Sequence, residues 1–398
     1  MVHRTAQSRL ADLARWYPAV ALTGPRQAGK STLARATFPT KPYVSLEDPD
    51  TRASAIEDPR GFLARFPDGA VLDEVQRTPN LFSSLQGCLD GDPRMGRFVL
   101  TGSYQFGLQQ GISQSLAGRV GHLHLLPFSW RELVSGQHDA PTLHGALWKG
   151  GYPPVHDRGI PPGTWFADYS TTYVERDLRQ LVQVRDLGTF QRFLRMCATR
   201  TAQVLNLSAL AADCGVTHNT AKEWLSALEA SHVVHLVPPW HSNLGKRLVK
   251  AAKLYFVDPG LAAWLAGLRR EEDVELGSLR GPLFETWVAS ECLKYQRHRG
   301  RTPDLYHWRD AHGHEVDLLL EVGPGRLLAM ECKSGQTVAG DWFPPLAKLA
   351  GLMPSLRGAV VYGGDASQTR TSFAVCAWRD IEALLDQAFS GGNPSPTP

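Results

Sequence analysis

The chain is predicted to open as an α/β sheet domain, continue as a helical domain and end in an α+β domain. Three observations predict this. Over residues 1–150, the short apolar runs "YPAVALTG", "YVSLED", "GAVLDE" and "RFVLTGS" alternate with turns and helical stretches, as buried parallel strands with crossover helices do. From about 164 to 270, "TWFADYSTTYVERDLRQL" and "TFQRFLRMCATRTAQVL" carry apolar positions at three- and four-residue spacing, which is helical periodicity. From about 281 a helix pattern, "PLFETWVASECLKYQRH", precedes the alternating runs "LYHWRD", "HEVDLLLEV" and "RLLAMECKS". The Gly/Pro-rich segments "KGGYPP" and "GIPPG" read as a connector. The expected divisions are therefore 1–150, 151–270 and 271–388. The tail from 389 to 398, ending "SGGNPSPTP", is expected to be disordered.

Bulk properties limit the classes that remain. A chain of 398 residues exceeds one ordinary core. With 43% apolar and 20% charged residues, a folded globular protein is expected. A formal charge of +3 neither requires nor excludes a nucleic-acid partner. None of the six cysteines stands at C-x-x-C spacing, so free thiols in a reducing compartment fit better than a zinc set or redox pair. The start "MVHRTAQSRL" lacks an apolar signal core, and no apolar run approaches the ~18 residues that cross a bilayer. A soluble cytoplasmic protein with no membrane partner is expected.

The first apolar run leads into Gly24, Pro25, Arg26, Gln27, Ala28, Gly29, Lys30 and Ser31, which match G-x-x-x-x-G-K-[ST] and are followed by Thr32 and a helical pattern. Glycines let such a loop turn so that successive backbone N–H groups point at phosphate oxygens. The following helix adds the positive end of its dipole. Lys30 is expected at the β/γ-phosphates and Ser31 on Mg²⁺. The third apolar run ends in Asp73 and Glu74. An acid there suits the same Mg²⁺, and its neighbour can polarise the attacking water. The fourth run ends Thr101-Gly-Ser103, where Ser103 is expected to sense the terminal phosphate or to serve as a strand cap. Arg119 is a candidate for stabilising transferring phosphoryl charge, from its own subunit or a neighbour's, or a structural arginine.

Together "LTGPRQAGKST", "VLDEVQR", "LTGS", "LAGRV…LLPFSWREL", "GGYP", "YVERDL" and "KLYFVDPGLAAWL" resemble the prokaryotic AAA-type ATPases that carry a C-terminal domain of unknown function, DUF4143. The resemblance runs from about residue 17 to 335. It implies a P-loop ATPase core and adenine as the base.

Farther along, "LSALAADCGVTHNTAKEWLSALE" reads as two short helices around Gly215, and "SHVVHLVPPW" fits the start of a wing. This is the pattern of a winged helix-turn-helix. Asn219 and Lys222 are the side chains suited to nucleic acid on its second helix, whereas Glu223 opposes phosphate. The basic segments with Lys246, Arg247, Lys250 and Lys253, and with Arg176, Arg179 and Arg185, could contact phosphates or form a solvated face. DNA binding and a packing role both remain open.

The last block contains a second charged pattern. "HEVDLLLEVGPGRLLAMECKSG" reads as a hairpin that brings Asp317 towards Glu331, with Lys333 on the same strand face as Glu331. Two carboxylates suit Mg²⁺, and a lysine beside them can activate water. Glu285, on the preceding helix, could support the metal. The arrangement resembles the PD-(D/E)xK, restriction-endonuclease-like fold, with Val316 where a proline often stands. The expected function is an ATPase whose nucleotide state, with ATP and Mg²⁺ as cofactors, controls a DNA-associated, nuclease-like C-terminal half. The alternatives are an ATP-dependent DNA- or protein-binding switch without cleavage, and a homo-oligomeric remodelling ATPase using Arg119 in trans.

Overall fold

The computed structural model describes residues 2–102, 116–138, 140, 142–174, 186–241, 251–310, 312–353 and 355–391. It divides into two compact units. The first comprises Met1–Phe128 with Ala230–His232 and Gln296–Thr302, and the second the remainder. The second unit thus takes in residues 129–150 and spans both of the later sequence blocks.

Five parallel strands form the sheet of the first unit: β1 (Ala19–Thr23), β2 (Tyr43–Ser45), β3 (Val71–Asp73), β4 (Phe98–Gly102) and β5 (Val120–His124), in the order β2-β3-β4-β1-β5. Because side chains alternate across a strand, Ala19 and Ala21 pack on one face with Phe62, Phe82, Leu85 and Phe98. Val20 and Leu22 pack on the other with Leu10, Leu13, Leu33 and Val99. Helices therefore cover both faces, which is why these strands read as continuous apolar runs. Four of the five strands coincide with the predicted runs. The fifth, β5, interleaves Gly121, His122 and His124 with its apolar residues and lacks that signal. The interior strand β1, between β4 and β5, ends at the loop 24–29, and the helix Lys30–Thr37 follows. That is the carboxyl edge of a parallel sheet, where ligands bind in open α/β folds.

In the second unit the predicted helix beginning at "TWFADY" forms as Pro162–Tyr169 and passes into a π-turn at Ser170–Val174. Helix Leu187–Ala198, β6 (Gln203–Val204), helix Leu207–Cys214, helix His218–Ala230, β7 (Val234–Val237) and β8 (Lys253–Phe256) then follow. Gly215, at φ 72°, makes the turn between the paired helices. The antiparallel strands stand in the order β6-β8-β7. Phe190 and Phe193 meet Trp224 edge-on at 5.1 and 5.4 Å, holding the first and third helices together.

The long helix Arg280–His298 leads to a second five-stranded sheet: β9 (Leu305–Arg309), β10 (Glu315–Gly323), β11 (Arg326–Lys333), β12 (Leu356–Tyr362) and β13 (Ala374–Ala377). The strands lie in chain order, with β9, β10 and β11 antiparallel and β11, β12 and β13 parallel. The predicted hairpin is present, with Gly325 at φ 66° in its turn. Helix Ile381–Ser390 extends into the expected tail, of which residues 392–398 lie outside the described residues.

Candidate functional site

The loop after β1 starts in close contact with the backbone of Leu125. Gly24 sits at φ 149°, and a Cβ there would lie 1.9 Å from the Leu125 carbonyl oxygen, so only glycine fits. Gly29, at φ 91°, starts the helix Lys30–Thr37. Lys30 is only 6% exposed, and its ammonium donates to the carbonyls of Gly24 and Pro25 at 3.0 and 2.9 Å. Arg26 lies 3.8 Å from Glu47, Gln27 adopts φ 63°, and Thr32 is exposed. A residue that the motif does not contain braces the loop. Buried Arg4 donates to the Ala28 carbonyl at 2.8 Å and to that of Leu126 at 2.6 Å.

Asp73 ends β3 as a shared acceptor. The Ser31 hydroxyl donates to its Oδ1 at 2.9 Å, the Thr101 hydroxyl donates to the same oxygen, and the Tyr43 hydroxyl donates to Oδ2 at 2.6 Å. Burial, together with the Asp73 carboxylate, raises the Tyr43 phenol and keeps it a donor. Glu74 is buried in the left-handed region at φ 55°, where the Gln76 amide donates to its Oε2. Tyr43 and Arg4 carry no sequence signal of their own, since each reaches the site from far along the chain, whereas Gln76 stands two residues after Glu74. Thr101 was visible as the end of its apolar run. Ser103 lies outside the described residues.

Arg119 stands away from the phosphate loop. β5 runs parallel to β1 with Ala19 opposite Val120, and the Ala19 amide donates to the Arg119 carbonyl at 3.2 Å. Arg119 is therefore at the amino edge of the sheet, about 16 Å of strand from the phosphate loop. It pairs there with Asp90, Nη2 to Oδ2 at 3.0 Å, so it cannot serve the loop of its own subunit.

The second charged cluster lies wholly within the second unit. One step beyond the Leu318–Met330 pair, Asp317 falls opposite Glu331, as the hairpin predicted. The β9–β10 register also shifts between Val316 and Leu319, the bulge that brackets Asp317. The Cys332 amide donates to Asp317 Oδ2 at 2.8 Å, and Lys333 Nζ lies 2.7 Å from Glu331 Oε1. Glu331 is 5% exposed, and its Oε2 has no hydrogen-bond partner. Burial and then the neighbouring Asp317 charge raise the carboxyls of both Glu285 and Glu331.

A residue the sequence assigned elsewhere completes this cluster. Lys253, expected in a phosphate-facing basic segment, is instead 2% exposed. Its ammonium lies 2.9 Å from Glu285 Oε1 and 3.6 Å from Asp317 Oδ1, and it also contacts Glu315. Burial works against its charge, but the three carboxylates outweigh that and raise its proton affinity. Tyr255 donates its hydroxyl to Glu285 Oε1 as well. Among the described residues, no group of three or more His, Cys, Asp and Glu side chains is disposed to hold a metal ion.

Asn219 and Lys222 are exposed on the helix His218–Ala230, beside equally exposed Glu223. Lys246, Arg247, Lys250, Arg176, Arg179 and Arg185 lie outside the described residues. All six cysteines are free thiols, and no described helix is long and apolar enough to cross a membrane.

The loop after β1, its helix and the Ser31–Asp73 pair at the carboxyl edge of a parallel sheet define the P-loop ATPase class. Residues 17–134 match the AAA domain family, 280–380 match the domain of unknown function DUF4143, and 140–272 match a separate domain of unknown function, DUF8612. The chain belongs to the AAA-type P-loop ATPases that carry a C-terminal DUF4143 domain. The helical middle is thus matched by a family of its own. Uncharacterized proteins of Mycobacterium tuberculosis and Mycobacterium bovis are each 32% identical over 339 residues, covering 84% of this chain and 74% of theirs. Among solved structures, a Walker-type ATPase of Pyrococcus abyssi overlaps at a TM-score of 0.46 and 16% identity, covering 65% of this chain and 94% of that one. AMPPCP-bound DnaA from Aquifex aeolicus overlaps at 0.29 and 14% identity, covering 56% and 85%. Both overlaps are partial, and the assignment rests on the family matches.

Proposed function

We propose that this chain is an ATP-hydrolysing switch whose nucleotide state governs DNA association by its C-terminal half. The observation that carries the ATPase reading is the 2.9 Å pairing of Ser31 with Asp73 beside a buried Lys30. These hard oxygens suit Mg²⁺, and the lysine suits the β/γ-phosphates. Glu74 is the group to orient the attacking water, once Gln76 releases it. Phosphate release by wild type and Lys30→Ala tests this, and turnover retained by the variant would sink the assignment.

The DNA reading draws support from the order helix, strand, helix, turn, helix, strand, strand over residues 187–256, which is that of a winged helix. Exposed Asn219 and Lys222 face solvent on its second paired helix. Anisotropy of a labelled duplex with and without ATP tests it, and affinity indifferent to both nucleotide and Lys222→Ala would overturn it. The cytoplasm is the compartment that fits six free thiols. A homo-oligomer would give Arg119 a role in a neighbouring subunit, and turnover that rises with protein concentration would support that role.

Metal-dependent cutting of nucleic acid is the second reading. An antiparallel hairpin carrying Asp317 opposite Glu331, with Lys333 beside it, supports a restriction-endonuclease-like fold. Cleavage assays with Mg²⁺ or Mn²⁺, on wild type and Asp317→Ala, separate it from the switch.

A further inference from the structure

The acidic cluster of the second unit already holds a cation. Lys253 reaches it from β8, whose pairing with β6 and β7 sets the strand in place. Residues two apart share a strand face, and Tyr255 accordingly donates to the same Glu285 oxygen that the ammonium contacts. The Lys253 ammonium lies within ion-pair distance of Glu285, Glu315 and Asp317, which come from the helix Arg280–His298 and from β10. Lys333 takes one oxygen of the remaining acid, Glu331. A divalent ion bound by Asp317 would have to share this space with a buried ammonium of like sign. It would also compete for Asp317 oxygens that receive the Cys332 amide on one side and face Lys253 on the other. Mg²⁺ demands near-ideal octahedral oxygen geometry, and no such grouping stands among the described side chains.

We infer that Lys253 is the resident cation of this cluster, locking β8 to the helix Arg280–His298 and β10 in place of a divalent metal. The fold carries nuclease-like acids, but their charge is met from within the chain. A second consequence follows. Removing the ammonium while keeping its stem leaves three acids, Glu285, Glu315 and Asp317, facing a vacated cation position, with Glu331 beside them on Lys333. With no ammonium between them, their side chains are free to close on a hard divalent ion.

The test uses the full chain without nucleotide, so it does not depend on the ATPase reading. Mn²⁺ binding is measured by electron paramagnetic resonance and thermal melting for wild type, Glu331→Gln, Lys253→Met and Lys253→Met/Asp317→Asn. The expected result is that wild type shows no Mn²⁺ binding that Glu331→Gln removes. Lys253→Met should gain Mn²⁺ affinity of at least tenfold and a rise in Tm with Mn²⁺, both lost in the double variant. Wild-type binding abolished by Glu331→Gln would overturn the inference, because the metal then coexists with Lys253. A folded Lys253→Met that gains no affinity would overturn it too. If Lys253→Met folds only with Mn²⁺ present, the inference is supported. If it folds under neither condition, the wild-type and Glu331→Gln comparison decides.

Discussion

Asp73 is held by three hydroxyls, from one helix and two strands, and this makes it the residue to perturb by degrees. Ser31→Ala removes both a donor to Asp73 and the hydroxyl suited to Mg²⁺, so ATP turnover should fall at least about a hundredfold. Tyr43→Phe removes only a donor and should cost about tenfold or less, the net worth of a typical hydrogen bond. A steady-state comparison of kcat and KM checks the order. Glu74→Gln keeps the shape of the pocket but removes the base, so nucleotide binding should persist while hydrolysis slows about 10²–10⁴-fold. Equal loss of binding would show that Glu74 is structural. Arg4, buried behind the loop, serves the Ala28 and Leu126 carbonyls. Arg4→Ala leaves both unsatisfied, at about 1–3 kcal/mol. Nucleotide affinity measured by titration should drop about tenfold or more, though Arg4 lies outside the motif.

Among the elements, the aromatic contact between the first and third helices of the middle segment carries the most. Trp224 meets both Phe190 and Phe193. Trp224→Ala should cost about 3–5 kcal/mol and abolish duplex binding. ATP turnover should survive, because these rings lie outside the unit that holds the phosphate loop. Turnover lost together with duplex binding would contradict that independence. The β10 bulge is an element-scale device of a different kind. It shifts the register by one residue beside Asp317, and such shifts re-aim a side chain.

Taken as a whole molecule, the chain buries neutral histidines. Burial lowers His124 to about 3 and His156 to about 4, and it lowers His307 to about 4. In the unfolded chain each titrates near 6.5. The folded state therefore binds these protons more weakly, so the associated stability is present above pH 6.5 and is lost as the pH falls towards 4. His156 donates to the Gly150 carbonyl at 2.9 Å, and its protonation should cost about 2–3 kcal/mol by pH 4. Melting curves from pH 7.5 to 4.5 should show Tm falling less steeply for His156→Asn than for wild type, and parallel profiles would exclude the histidine.

By itself the sequence determined the phosphate loop, the acid pair after the third apolar run, the helical middle and the hairpin that sets Asp317 against Glu331. Each is a local pattern, in which spacing of one to four residues decides which face a side chain occupies. The tertiary structure alone decided the rest. It added β5, whose histidines and glycine break the apolar signal, and Arg4 behind the loop, 24 residues from Ala28. It moved Arg119 to the far edge of the sheet, because parallel register sets which end of a strand a flanking residue occupies. It also turned Lys253 from one more basic residue in a charged run into the buried partner of three acids, two of them more than 60 residues away. Charge at a single position says nothing about burial. Whether a lysine meets solvent, phosphate or carboxylate is settled only when distant strands and helices pack around it.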